Sequence, residues 1–128
     1  MAIPGSSDGQ EVIRRGTMHN QSNDHTSFDF TGGLPTVGDE TDTVPTHHII
    51  TILSISWGDQ GNAAELIYLF WEGDSKHIRL LHEAPLAAYG TYIWTEKIVL
   101  IGGDALKTTL ASAGNVDIVY TYLDQDWS

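Results

Sequence analysis

The sequence predicts an all-β protein, an antiparallel β-sandwich or jelly-roll-like domain over residues 46–128 with an extended N-terminal arm over residues 1–45. Three observations predict it. From His47 onward, short runs dense in β-branched and aromatic residues follow one another, each pair separated by Gly, Asn, Asp or Pro. No stretch alternates strand periods with helix periods, which excludes a βαβ architecture. Ahead of Pro45 the chain is polar and rich in Gly, Ser, Thr, Asn and Asp, with almost no apolar run.

The elements follow in order. Ile3-Pro4-Gly5 and Ser6-Ser7-Asp8-Gly9 are breakers. Glu11-Val12-Ile13-Arg14-Arg15 has the length of one short strand or one helical turn. Met18 to His25 has neither period. Ser27-Phe28-Asp29-Phe30-Thr31 alternates, with Phe28 and Phe30 on one side, and suits an edge strand or a pin to a neighbour. Gly32-Gly33-Leu34-Pro35 breaks it, and Asp39-Glu40-Thr41-Asp42 is an acidic approach to the domain. So long a stretch without structure is unusual inside one compact domain. It is either disordered or ordered against other subunits. Val12, Ile13, Phe28 and Phe30 favour contact with other subunits, since a solvated tail has little use for them.

The domain opens with Ile49 to Trp57. Its apolar phase changes near Leu53: Ile50 and Ile52 are even, whereas Leu53, Ile55 and Trp57 are odd. A β-bulge produces such a change, as does burial of both faces. Gly58 to Asn62 is a turn. Glu65 to Trp71 is apolar on both sides and reads as a central strand. After the turn Glu72-Gly73-Asp74-Ser75, His77 to Leu81 alternates with Ile78 and Leu80 inward and Arg79 outward. Ala84-Pro85-Leu86-Ala87-Ala88 reads as a loop tucked under the sheets. Thr91 to Trp94 and Lys97 to Ile101 are two strands or one bent strand. Gly102-Gly103-Asp104 is a tight turn, where Gly tolerates a positive φ. Ala105 to Ala111 leads to a last strand, in which Val116, Ile118, Tyr120 and Tyr122 share a face.

Composition bounds the function. The chain has 128 residues, the size of one domain, and no Cys, which excludes disulfides and thiolate metal sites. Its net charge is −11, from 17 Asp and Glu against 6 scattered Lys and Arg. Nucleic acid and anionic membranes need a basic footprint, so neither is an expected partner. No apolar run approaches the roughly 18 residues of a membrane span, and the N-terminus has neither the basic nor the apolar region of a secretory signal.

No catalytic, cofactor-binding or metal-binding residue is assigned. His47 and His48, adjacent in a strand, point to opposite faces and do not share a metal. His77 and His82 read as surface or interface residues. Asp39, Glu40 and Asp42 lack the Gly-punctuated alternation of an EF-hand and read as a solvated linker. Glu65, Glu83, Glu96 and Asp117 are the carboxylates available for glycoside hydrolysis, and no strand pattern leaves one unexplained. Ser54, Ser56, Ser75 and Ser112 lack a nucleophile-elbow context, and Gly102-Gly103-Asp104 lacks the Lys and helix of a phosphate loop. The expectation is a protein without enzymatic activity. The four Trp and five Tyr suit a core or a subunit interface, or alternatively the platforms of a carbohydrate-binding module. Trp127, beside the C-terminus, reads as an interface anchor.

Several features occur in a fixed succession. Thr43-Val44-Pro45 enters a β-branched strand, Ile49 to Ile55. A turn and the apolar strand Leu66 to Trp71 follow. Then come a Pro-containing loop, Gly90-Thr91-Tyr92, Ile98-Val99-Leu100, Gly103-Asp104-Ala105-Leu106 and the strand Gly114 to Ile118. Over residues 43–123 this resembles the small β-sandwiches of tailed-phage virion proteins, which include capsid decoration (cement) proteins and neck or tail components. Trp57 departs from that pattern, which often has Asn or Ser there. The resemblance implies a homotrimer on the outer surface of a capsid, with the major capsid protein as partner and arms reaching between neighbours. Val12, Ile13, Phe28, Phe30 and Trp127 are the expected interface residues.

Overall fold

A computed structural model describes residues 10–112 and 114–127. These hold nine strands, β1 (Gln10–Gln21), β2 (Thr26–Ser27), β3 (His48–Asp59), β4 (Glu65–Gly73), β5 (Lys76–Leu86), β6 (Thr91–Trp94), β7 (Ile98–Ile101), β8 (Ala105–Leu110) and β9 (Val116–Asp126). All pairings are antiparallel. One sheet, sheet A, runs β1-β9-β3, with β6 and β7 sharing the far edge of β3, and the other, sheet B, runs β2-β8-β4-β5. The chain is an all-β sandwich.

The phase change at Leu53 is a β-bulge. Ile52 pairs with Tyr122 but Ser54 with Thr121, so Leu53 is the extra residue. It puts Ile50, Ile52, Ile55 and Trp57 all into the core. The opposite edge breaks at the same place. β7 pairs with Ile49 to Ile52 and β6 with Ile55 to Gly58, so the two are pieces of one edge interrupted opposite the bulge. β4 is central, as its two apolar faces imply. β4 and β5 form a hairpin whose loop, Asp74-Ser75, has φ of 51° and 60°, the positive pair of a type I′ turn.

Ala84-Pro85-Leu86 is strand rather than loop. It ends β5, the edge of sheet B, where Pro85 leaves no ladder partner short of a donor while Ala84 and Leu86 are buried. Ile78, expected inward, is exposed because two register irregularities in the β4–β5 pairing shift the phase of that strand.

Residues 10–45, read from the sequence as an arm, are built into the sandwich. β1 zips along β9 from Gln10↔Asp126 to Met18↔Ile118. The chain then crosses between the sheets and pairs β2 with β8. Phe28 and Phe30, expected at a subunit interface, are instead core residues of this chain, each only 1% exposed. The cause is Tyr120. Its ring meets Phe28 edge-on at 4.8 Å and Phe30 at 6.1 Å. Its hydroxyl donates to the Asp29 carbonyl at 2.7 Å and accepts from the Asp29 amide at 3.1 Å. Gly16 pairs directly with Tyr120, and a Cβ there would collide with the ring. The polar residues between these anchors satisfy themselves locally. Asp29 accepts from the amide and hydroxyl of Thr31, and Asp39 does the same with Thr41. Those Thr41 bonds hold the Asp39 carboxyl below the usual range.

The two sheets are tied through Trp57, whose indole N–H donates to Thr108 Oγ1 at 3.2 Å, and Thr108 in turn donates to the Tyr68 carbonyl at 2.8 Å. Burial pushes the phenols of Tyr120 and Tyr122 above the ordinary tyrosine range. The unfolded chain then ionises first as the pH rises through about 10. The contribution of these phenols is intact below that value and is lost above it. We expect the urea midpoint to hold steady from neutral pH to about 9 and fall above about 10. Tyr120→Phe should lie lower at neutral pH, having lost its bonds to Asp29, yet show a shallower alkaline fall. Parallel curves for the two proteins would contradict this.

Candidate functional site

The outer face of sheet A carries most of the apolar exposure. Along β9 the even residues point inward, so Val119, Thr121, Leu123 and Trp127 face out. Pairing extends this into rows across the sheet. Ile13, Leu123, Thr51 and Val99 form one row, and Gln125, Ile49 and Ile101 lie beside it. Val119, Ser56 and Ile93 form another. Ile13, Val99, Ile101 and Ile93 are 68%, 60%, 58% and 62% exposed. Between these rows the outward residues of β9, β3 and β7 are uncharged. Strand spacing and rise make the patch about 15 Å by 25 Å.

At one end of this face lies a cavity of about 410 Å³ lined by His47, Ile49, Ile101 and Trp127, among others. His47 has a φ of 67°, a backbone strain for a non-glycine residue, and its carbonyl accepts from the Trp127 amide at 3.1 Å. Its ring meets the Trp127 indole edge-on at 6.3 Å. Trp127 is thereby held half-exposed at the rim. Of the other expected interface residues, Ile13 is on this face. Val12 is not, because it pairs with the inward-facing Asp124 and so lies on the opposite side of β1.

His47 lies ahead of β3 with a left-handed backbone, so strand alternation does not set the two rings apart and both line this cavity; the ring of His48 reaches β9. Its Nδ1 is 2.7 Å from Asp124 and its Nε2 is 3.6 Å from Asp126. Asp124, 5% exposed, also takes Arg14 Nε at 3.1 Å. Carboxylates flank both ring nitrogens, which leaves neither for activating a hydroxyl. This cluster is invisible in the sequence, because its members are 110 and 76 residues apart. The carboxylates considered for hydrolysis are engaged separately: Glu65 by Ser112, Glu83 by Tyr68 and Asp117 by His19. Among the described residues, no three His, Asp or Glu side chains come together to hold a metal ion.

The outer face of sheet B is different. Tyr68 and Phe70 on β4 point outward and stack at 6.1 Å. Phe70 is only 4% exposed although it lies outside the core between the sheets. It is covered by His25 at 5.5 Å, His77 at 4.7 Å and the Arg79 guanidinium at 5.8 Å. A groove of about 350 Å³ opens beside it. Next to the groove, Lys107 reaches Glu72 at 2.6 Å and His77 reaches it at 3.0 Å, which holds that carboxyl below its usual range. Of the remaining tryptophans, Trp57 is in the core and Trp71 and Trp94 pack against it.

No family model matches the chain, and no curated protein does. Solved structures are similar to it at low identity, among them the following three. A Drosophila NLP core, described for pentamer formation and histone binding, is 12% identical with a TM-score of 0.46, over 90% of this chain and 96% of that one. The acid-stable capsid of Helicobacter pylori bacteriophage KHP30 gives 9% identity and a TM-score of 0.45 over 94% of each chain. Infectious bursal disease virus, Gx strain, gives 11% identity and a TM-score of 0.43 over 94% of this chain and 32% of that one.

Proposed function

We propose that the protein is a non-enzymatic structural component of a tailed-phage virion, a decoration protein seated on the outer surface of the capsid as a homotrimer. The observation that carries the reading is the apolar patch on the outer face of sheet A, uncharged across β9, β3 and β7 and flanked on β1 by Glu11 and Arg15. A chain of net charge −11 repels its own copies over most of its surface. Where the patch crosses β9, β3 and β7, two copies, or a copy and a shell subunit, meet without opposing carboxylates. The patch, on the order of 350 Å² in plan, is of the size that marks interaction sites on monomers. It supplies the dry centre of an interface whose rim is polar; a standard interface takes about 800 Å² from each partner. Ile13 and Trp127 lie on this surface or at its rim. The succession of strands and turns over residues 43–123 resembles tailed-phage virion β-sandwiches, decoration proteins among them, and supports a virion setting, with the threefold symmetry following from the decoration reading.

The mechanism is linkage. A protein that binds the assembled shell and not its separate subunits stabilises the shell by the free energy of binding. The test is to mix the purified protein with undecorated shells of the virus that encodes it and pellet them. Saturable co-sedimentation and a raised shell melting temperature are expected. Failure to pellet with intact shells would overturn the capsid assignment.

A further inference from the structure

We infer that the groove on the outer face of sheet B binds a carboxylated sugar, the ring of a uronic or sialic acid at the end of a glycan. This goes beyond the assembly role and uses the opposite sheet, so the site stays open when sheet A is covered.

Four observations carry it. The first is Arg79. Register places Lys107, Phe70 and Arg79 side by side across β8, β4 and β5. Lys107 is neutralised by Glu72 at 2.6 Å, but Arg79 makes no ion pair among the described residues and lies over the Phe70 ring instead. Its planar fork matches a carboxylate with two parallel bonds. The second is the aromatic floor. Tyr68 and His25 line the groove and pack on the buried Phe70 ring, which backs them, and they offer the apolar surface on which the C–H face of a sugar ring rests. The third is polar decoration in the right place. Asn23 and Thr109 line the same groove; Asn23 offers an amide, and the Thr109 hydroxyl, which donates to the Leu110 carbonyl at 3.3 Å, keeps an acceptor for a sugar hydroxyl. At about 350 Å³ the groove lies at the small end of the ligand-site range.

The fourth is backbone strain. β5 carries a bulge opposite Tyr68, and Glu83 within it has a φ of 54°. Bulges of this kind re-aim side chains beside binding sites. Here the bulge brings Glu83 to the Tyr68 hydroxyl at 3.2 Å and His82 edge-on to the Tyr68 ring at 5.4 Å. Tyr68 is therefore fixed in place, with the Glu83 carboxylate at its hydroxyl and Arg79 at the neighbouring ring.

The experiment is a titration of the full-length protein with sodium glucuronate, glucose and sodium acetate, followed by amide chemical shifts. Glucuronate is expected to shift the amides of Asn23, His25, Thr109 and Ala111, with glucose and acetate each binding at least about tenfold more weakly. Arg79→Ala should cost about tenfold for glucuronate and leave glucose within about twofold, because only the carboxylate contact is lost. Arg79→Ala leaves an exposed position, and an unchanged melting temperature verifies its fold. Equal binding of glucuronate and glucose would overturn the proposal, as would acetate matching glucuronate or no shift at the groove with any of the three. None of these outcomes bears on the mass of the assembly.

Discussion

A chain truncated to residues 46–128 is expected to be unfolded rather than to yield a sandwich freed of its arm. Truncation removes β1 and β2, so it uncovers β9 along one edge and β8 along the other. Two long unpaired edges are aggregation sites in their own right. It also deletes Met18, Phe28, Phe30 and Val44, which are at most 2% exposed. Removing one buried Phe side chain costs about 3–5 kcal/mol, and a domain holds only about 5–15 kcal/mol in all. Far-UV circular dichroism and one-dimensional proton NMR read the outcome. A disordered or aggregated product is expected, and a soluble fragment with a cooperative melt would contradict the placement of residues 10–45. A milder version is Phe28→Ala in the full chain. It should lower stability by about 3–5 kcal/mol. Arm residues that merely awaited a neighbour would give almost no change in a dissociated protomer.

The double variant Ile13→Glu, Val99→Glu is expected to be a folded monomer. Both side chains are more than half exposed, and they lie in one row across sheet A. In an isolated protomer such surface changes stay within about 0.5 kcal/mol each, with a modest further loss from the poorer strand propensity of Glu. In an interface the same change buries two carboxylates per copy without a partner, each costing several kcal/mol. The loss exceeds what a standard interface centre supplies, so assembly should fail while the melt of the protomer stays close to its own value. An assembly of unchanged mass would show that copies meet through another surface. A control at Tyr89, exposed on a loop away from these rows, should leave the mass as it is.

What was legible in the sequence was local. The shift from even to odd apolar positions at Leu53 marks the bulge because strand alternation has a strict period of 2. The two apolar faces of Leu66 to Trp71 mark a central strand for the same reason. What was not legible was where isolated apolar residues in a polar stretch would go. Phe28 and Phe30 read correctly as a pair on one side of a strand-like segment, but their partner, Tyr120, is 91 residues from Asp29 between them. Gly16 carries no signal of its own in the sequence, and in the fold it leaves the space that the Tyr120 ring occupies. Asp39 reads as part of a solvated linker, and Asp29 has no visible partner in the sequence. In the fold their carboxylates are engaged by Thr31 and Thr41, two positions on. The groove on sheet B was hidden for a similar reason. Asn23, Tyr68, Arg79 and Thr109 come from a crossover and three strands, and only pairing register brings them together.

The most direct test of the sheet A surface is the mass of the intact protein in solution, measured by light scattering across a range of concentrations. The chain is 14.0 kDa. A stable mass of three chains is expected. A mass of one chain at every concentration would contradict self-assembly through this face.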